Sequence, residues 1–374
     1  MNKYFATVAR GLEDVAAVEL ENLGAKEVTT SFTGVSFSGN KELLYKANLW
    51  SRIIFRILVP IAKVKSFNAE QLYRSVQQID WSEYLDPDMS LAVNCTGKNK
   101  QLNHSHFTAL QIKKAIVDQQ QKHFGRRSDV EPKNPDLLVN AHIDNNRCVI
   151  SLDSSGKSLH RRGYRPAVGS APLKESLAAA LIQLTEWTPE IAFYDPLCGS
   201  GTLPIEATLK ALNIAPGLYR DSFGFQNWLD YDETLWDKLV SEANEAQKFD
   251  LDVPIIAGDS NFDVLTQAKD NAINCNVVEY IEFLHQNLSE VTAPAETGVI
   301  ICNPPYGERL GNVAELEDLY KMLGDIFKQR FTGWTAYIFT GSKHLSKRVG
   351  LRTSKRIPLY NGSLPCTLLK YELY

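Results

Sequence analysis

Ile191-Ala192-Phe193-Tyr194-Asp195-Pro196-Leu197-Cys198-Gly199-Ser200-Gly201-Thr202 is a short apolar run that stops at an acid, turns on two glycines and leads into Leu203 to Leu212, which has helical spacing. Strand, glycine-rich turn and helix in this order are how a parallel sheet with crossover helices presents its strand ends to a ligand. The glycines permit a tight turn and close backbone approach. No Lys followed by Ser or Thr comes after the last glycine, so the stretch is not a P-loop, and a nucleoside is expected rather than a triphosphate. Asp195, Pro196, Cys198, Gly199, Gly201 and Thr202 are therefore candidate cofactor contacts.

Downstream the same grammar continues. Pro254 to Gly258 reads as a strand, Phe262 to Asn274 as a helix and Val299 to Cys302 as another buried strand. The second strand ends in Asp259, where a doubly wound fold sets an acid against ribose hydroxyls. A helix N-cap is the plainer role for that residue. Asn287 follows the run Ile281-Glu282-Phe283, at the place where such folds read the adenine edge, although a loop Asn commonly just caps a turn.

Ile300-Ile301-Cys302-Asn303-Pro304-Pro305-Tyr306-Gly307 is the most specific signal. Two prolines cannot continue a central strand, so Asn303, Pro304, Pro305 and Tyr306 must form an extended loop that lacks donors and offers carbonyl oxygens. An exocyclic base amine is a weak nucleophile because its lone pair is delocalised into the ring. Acceptors that orient its hydrogens, here the Asn303 side-chain oxygen and the Pro304 carbonyl, make it competent, and the Tyr306 ring can stack on the base. Cys302 or Cys366 as the thiolate of a pyrimidine C5 reaction is a rival reading. Cys302 ends an apolar run and is expected to pack there, and Cys366 lies far from the loop in sequence.

Upstream of about residue 165 the pattern is different. Tyr4 to Val8, Glu27 to Phe37 with a turn at Thr33-Gly34, and Arg52 to Ile61 read as β; Leu12 to Leu23 and Lys41 to Trp50 read as helices. A second α+β unit follows: helical Leu72 to Ile79 and His106 to Phe124, and strands Ser90 to Cys95, Asp136 to Ile143 and Cys148 to Asp153, the last two joined at Asn145-Asn146. The expected division is 1–60, 61–162 and 163–374, with the last boundary near Arg162 to Ser170.

With 374 residues, 44% hydrophobic and 22% charged, the chain can build more than one core and is not a disordered protein. No stretch has membrane-spanning length, and Met1 to Arg10 is not built like a signal peptide, so a cytoplasmic location is expected. The six cysteines have no zinc-type spacing, and no metal site is expected. The net charge of −4 hides an asymmetry. Lys98, Lys100, Lys113, Lys114, Lys122, Arg126 and Arg127 face only Asp118 in their stretch; Lys157, Arg161, Arg162, Arg165 and Lys174 form a second acid-free run, and Lys343 to Arg356 hold a third. Such runs suit a phosphate track, with Lys113, Lys114, Arg126, Arg127, Arg161, Arg162 and Arg165 as RNA contacts. His104 and His106 are read as surface residues, and Tyr219, Phe223, Phe225 and Trp228 as core rather than walls of a base pocket.

The Asp195 to Thr202 turn, the Asp259 strand end and the Asn303 to Leu310 loop together resemble amino-methyltransferases acting on adenine N6 or guanine N2. With His160-Arg161-Arg162-Gly163-Tyr164-Arg165, Ala171 to Ala178 and Ile214 to Leu218, the whole chain is similar to the bacterial large-subunit ribosomal RNA guanine-N2 methyltransferases, members of which are often labelled adenine-specific DNA methylases. The resemblance implies an α/β fold, a Rossmann-like methyltransferase domain preceded by ferredoxin-like and THUMP units. It further implies S-adenosylmethionine as cofactor, 23S ribosomal RNA as partner and guanine N2 as target. Two rivals are an N6-adenine methyltransferase on DNA or RNA and a catalytically inactive RNA-binding module. Where relatives have Asp-Ile-Asp-Pro after the second strand, this chain has Asp259-Ser260-Asn261-Phe262, which leaves one carboxylate for the ribose. The family's larger fusion proteins carry a further methyltransferase domain, not expected in a chain ending at Tyr374.

Overall fold

The computed structural model describes residues 1–165, 173–306 and 313–374. The chain begins β1 (Asn2–Thr7), α1 (Glu13–Asn22), β2 (Lys26–Ser31), β3 (Gly34–Gly39), α2 (Lys41–Trp50) and β4 (Arg56–Lys65). It continues α3 (Ala69–Val76), β5 (Leu91–Lys98), α4 (Ser105–Phe124), β6 (Leu137–Asp144) and β7 (Arg147–Asp153). Local chemistry sets these bounds: Asn68 caps α3 by accepting from the Gln71 amide, and Gly125, left-handed at φ 68°, ends α4. The run from Glu27 to Phe37, expected to turn at Thr33-Gly34, is a hairpin, β2 and β3, folded at Thr33 with φ 55°.

These strands form one seven-stranded sheet in the order β2-β3-β1-β4-β7-β6-β5. The joint is β4, whose start pairs with β1 and whose remainder pairs with β7. A division at residue 60 therefore falls inside a strand. Pro60, which has no amide hydrogen to donate, sits where the register with β7 shifts.

The second half runs α5 (Glu175–Leu184), β8 (Ala192–Asp195), α6 (Thr202–Ala211), α7 (Glu233–Glu245), β9 (Ile255–Asp259), α8 (Phe262–Asn274), β10 (Ile281–His285) and β11 (Gly298–Cys302). It closes with α9 (Val313–Arg330), β12 (Thr335–Thr340), α10 (Lys343–Arg348), β13 (Lys355–Asn361) and β14 (Leu364–Glu372). The second sheet has the order β10-β9-β8-β11-β12-β14-β13. Its first five strands pair in parallel, and β13 and β14 add an antiparallel edge. Every residue of β8 and β11 is buried, as befits strands covered on both faces. From β8 the chain moves outward to β9 and β10, then returns to place β11 on the other side of β8. That reversal opens a crevice at the carboxyl ends of β8, β9 and β11.

The halves share one core, in which Leu20 and Val35 belong with Leu181, Phe193 and Ile301. Phe225 stacks on Tyr45 of α2 with ring centroids 4.2 Å apart, and Phe223 joins the same cluster, so these aromatics are core residues at the junction. Polar groups cross it too. The Arg52 guanidinium donates to the carbonyls of Leu209 (3.2 Å) and Ile214 (2.7 Å), and burial lowers its pKa to about 10. Among the described residues, no helix is long and apolar enough to cross a membrane.

Candidate active site

The crevice is floored by the turn from Asp195 to Thr202. Leu197 donates its amide to Asp195 Oδ1 (3.1 Å), Cys198 to the Gly258 carbonyl (2.8 Å) and Gly199 to Asp259 Oδ2 (3.0 Å). The turn is thus pinned to the end of β9 before any ligand arrives. Gly199 and Gly201 both have positive φ, 53° and 81°, but for different reasons. A Cβ on Gly201 would stand 2.9 Å from the Ala268 Cβ, so close packing against α8 forbids a side chain there. A Cβ on Gly199 would meet nothing within 4 Å, because it would point into open space above the turn. Pro196 and Thr202 lie in the same segment, Thr202 opening α6, and Cys198 is buried within it.

Asp195 is 1% exposed, and burial pushes its pKa well above the usual carboxylate range, with the nearby Asp259 charge adding to the rise. Asp259 accepts from the amides of Gly199 and of Asn261 (2.9 Å); the residue that caps α8 is Asn261. Asn287 is exposed at the start of a short turn, where its amide donates to Glu290 Oε2 (2.8 Å). Its neighbour Gln286 reaches inward: its amide donates to the Asp259 carbonyl (3.2 Å) and its side chain to the Tyr194 hydroxyl. Sequence patterning gives no signal for Gln286, because a loop Gln has no preferred turn role.

Asn303 follows directly on β11. Its Oδ1 is buried and has no hydrogen-bond partner among the described residues. Pro304 is buried and Pro305 half-buried, and neither has an amide hydrogen to satisfy that oxygen. Tyr306 is anchored: its hydroxyl accepts from Asn361 Nδ2 (3.1 Å) and from Cys366 Sγ (3.7 Å), and its ring meets Phe339 edge-on. Burial raises its pKa. Gly307 to Leu310, the rest of the loop motif, and Ala171-Pro172 lie outside the described residues. Cys302 is fully buried and burial drives its thiol pKa well up, which is the opposite of an activated nucleophile.

The basic candidates separate by environment. Lys114 and Arg127 are exposed, as is Arg161, and Lys113 is half-buried on α4. Arg126 is exposed but held in a bidentate pair with Asp88. Arg162 corrects the expectation. It is 1% exposed, pairs with the buried Glu206 at 3.4 Å and donates to the Leu159 carbonyl at 2.7 Å, so it braces the core and offers RNA no charge. Arg165 is likewise turned inward, onto Glu175 at 2.7 Å. The sequence shows charge but not which way a side chain faces. Among the described residues no cluster of His, Cys, Asp or Glu is placed to hold a metal.

Residues 162–370 match the family of RMKL-like methyltransferase domains. The chain belongs to the RMKL-like methyltransferase family. Upstream of this RMKL-like domain, residues 67–153 match the THUMP domain and residues 3–58 the RlmL ferredoxin-like domain. The protein of Synechocystis sp. named "Putative RNA methyltransferase slr0064" is 56% identical over 99% of this chain and 97% of its own length. The ribosomal RNA large subunit methyltransferase K/L of Syntrophotalea carbinolica is 40% identical over 99% of this chain, which spans about half (53%) of that relative's length. The crystal structure of SMU.472 complexed with SAH is 32% identical and superimposes with a TM-score of 0.89, covering 100% of this chain and 98% of that one. The fold expected from the sequence, a Rossmann-like domain behind ferredoxin-like and THUMP units, is the one found.

Proposed function

We propose that this RMKL-like protein transfers a methyl group from S-adenosylmethionine to an exocyclic amino group of a base in RNA, and that the base is guanine, at N2, in large-subunit ribosomal RNA. The observation that carries the amine chemistry is the buried, unpartnered Oδ1 of Asn303 at the mouth of the crevice. A buried acceptor left unbonded costs about 1–3 kcal/mol, and an incoming N–H removes that cost. The residues present fit the cofactor: open space stands over Gly199, and the Asp259 carboxylate at the end of β9 suits its ribose hydroxyls. When bound, S-adenosylmethionine supplies an electrophilic methyl group. Asn303 Oδ1 and the Pro304 carbonyl accept hydrogen bonds from the two amine N–H groups and so turn the nitrogen lone pair toward it; Tyr306, fixed by Asn361 and Cys366, bounds the base. Asp259 holds the ribose, and Lys113, Lys114, Arg127 and Arg161 meet RNA phosphates.

RNA is favoured over duplex DNA by the THUMP match and the RNA-directed relatives. The test is to incubate the protein with undermodified ribosomal RNA, or with duplex DNA, and labelled donor, then to identify the methylated nucleoside by mass spectrometry. N2-methylguanosine is expected from the RNA alone. N6-methyladenosine would overturn the base assignment. Absence of product together with absence of donor binding by calorimetry would leave an RNA-binding module.

A further inference from the structure

Arg10, exposed in the loop between β1 and α1, places its guanidinium carbon 4.6 Å from the ring centroid of Tyr360 and 5.5 Å from that of Phe32. The three residues come from different parts of the fold: Phe32 from the tip of the β2–β3 hairpin and Tyr360 from β13 of the catalytic sheet. Phe32 is 76% exposed, and no carboxylate pairs with Arg10 among the described residues.

The arrangement is held in place. Glu13 accepts from the amides of Gly11 (2.7 Å) and Thr33 (3.0 Å), which ties the loop carrying Arg10 to the tip carrying Phe32. Gly11, at φ 88°, lies so close to β13 that a Cβ there would stand 3.0 Å from the Pro358 carbonyl oxygen. Tyr360 directly precedes Asn361, whose side chain bonds the Tyr306 hydroxyl in the catalytic loop. An exposed Phe32 ring, a half-buried Tyr360 ring and the Arg10 guanidinium between them, with no carboxylate partner among the described residues, therefore form a fixed surface where the first sheet meets the edge strand of the second.

We propose that Arg10, Phe32 and Tyr360 form a platform for an unpaired nucleotide of the RNA substrate. The inference rests on the RNA-methylation reading. The rings offer π faces to a base, and the guanidinium offers a planar cation to a base or phosphate. A duplex keeps its base faces stacked away, so the occupant is single-stranded.

Binding of a short unstructured RNA oligonucleotide, followed by fluorescence polarisation, tests this, with an RNA duplex as control. Phe32→Ala and Arg10→Ala should each weaken single-strand binding about five- to tenfold, a stacked base being lost. Phe32→Trp should restore it, Arg10→Lys should restore it only in part, and Phe32→Ala should leave duplex binding unchanged. On ribosomal RNA the same losses should raise KM and spare kcat, with unaltered thermal melting and donor affinity. Equal affinity of wild type, Phe32→Ala and Arg10→Ala for the single strand would overturn the platform, as would equal losses on both RNAs. If wild type binds as described yet methylates no RNA, the platform stands and the RNA-methylation reading falls. If it methylates RNA and the variants match it, the platform alone falls.

Discussion

At Asn303 the side-chain oxygen is withdrawn from solvent and bonded to nothing among the described residues. Replacing Asn303 by Ala should lower kcat by about 100- to 1,000-fold, the scale of losing one positioned hydrogen-bonding group at a reacting centre. Donor affinity by calorimetry should barely move, since the proposed role of the amide is to meet the base and not the donor. Cys302→Ser makes the contrasting case. Labelled-methyl transfer should persist, with some loss of melting temperature from a hydroxyl placed in a fully buried site. Abolished transfer in a folded Cys302→Ser protein would overturn the amine mechanism. Asn303 was legible in the sequence because two prolines after an apolar run dictate a donor-free loop. Gln286 was not, since only the fold carries it to Tyr194 and Asp259.

The turn between β8 and α6 separates two demands that one glycine-rich string conceals. Gly199→Ala adds a methyl group over the open crevice at a positive φ, and should weaken S-adenosylmethionine binding at least tenfold while costing only about 1 kcal/mol of stability. Gly201→Ala drives the same methyl group against Ala268, so the larger loss should appear in the melting temperature. A reversed pattern in the two assays would contradict this division. Helix α6 shows the opposite kind of legibility. Its Glu206 is matched by Arg162 inside the core, and removing the guanidinium in Arg162→Ala strands a buried carboxylate, at a cost of about 3–5 kcal/mol by chemical denaturation. The sequence shows a string of basic residues from Arg161 to Arg165 and cannot say which of them point inward.

Across the whole molecule, the exposed cations and the shared core set the solution behaviour. Changing Lys114, Arg127 or Arg161 to Ala should each flatten the salt dependence of RNA binding by about one unit of slope, whereas Arg162→Ala, measured while folded, should not. Where the halves meet, burial and the charges of Lys174, Arg161, Arg162 and Arg165 lower the His160 pKa from 6.5 to about 4. The folded protein therefore keeps this ring neutral where the unfolded chain protonates it. That contribution to stability is present above pH 6.5 and is lost as pH falls toward 4. His160→Asn should melt with a shallower fall in Tm between pH 7 and pH 4.5 than wild type; parallel curves would show that His160 is not the group responsible.

The sequence by itself determined the strand–turn–helix of the catalytic domain, the donor-free loop at Asn303 and the α+β character of the first half, because each follows from local dihedral limits and periodicity. It did not determine the continuous sheet through β4, the antiparallel edge of β13 and β14, or which arginines are structural. Those depend on partners distant in the chain. Arg162 finds Glu206, Tyr306 finds Asn361, and Arg10 finds Phe32 and Tyr360 only once the two sheets have packed on a common core.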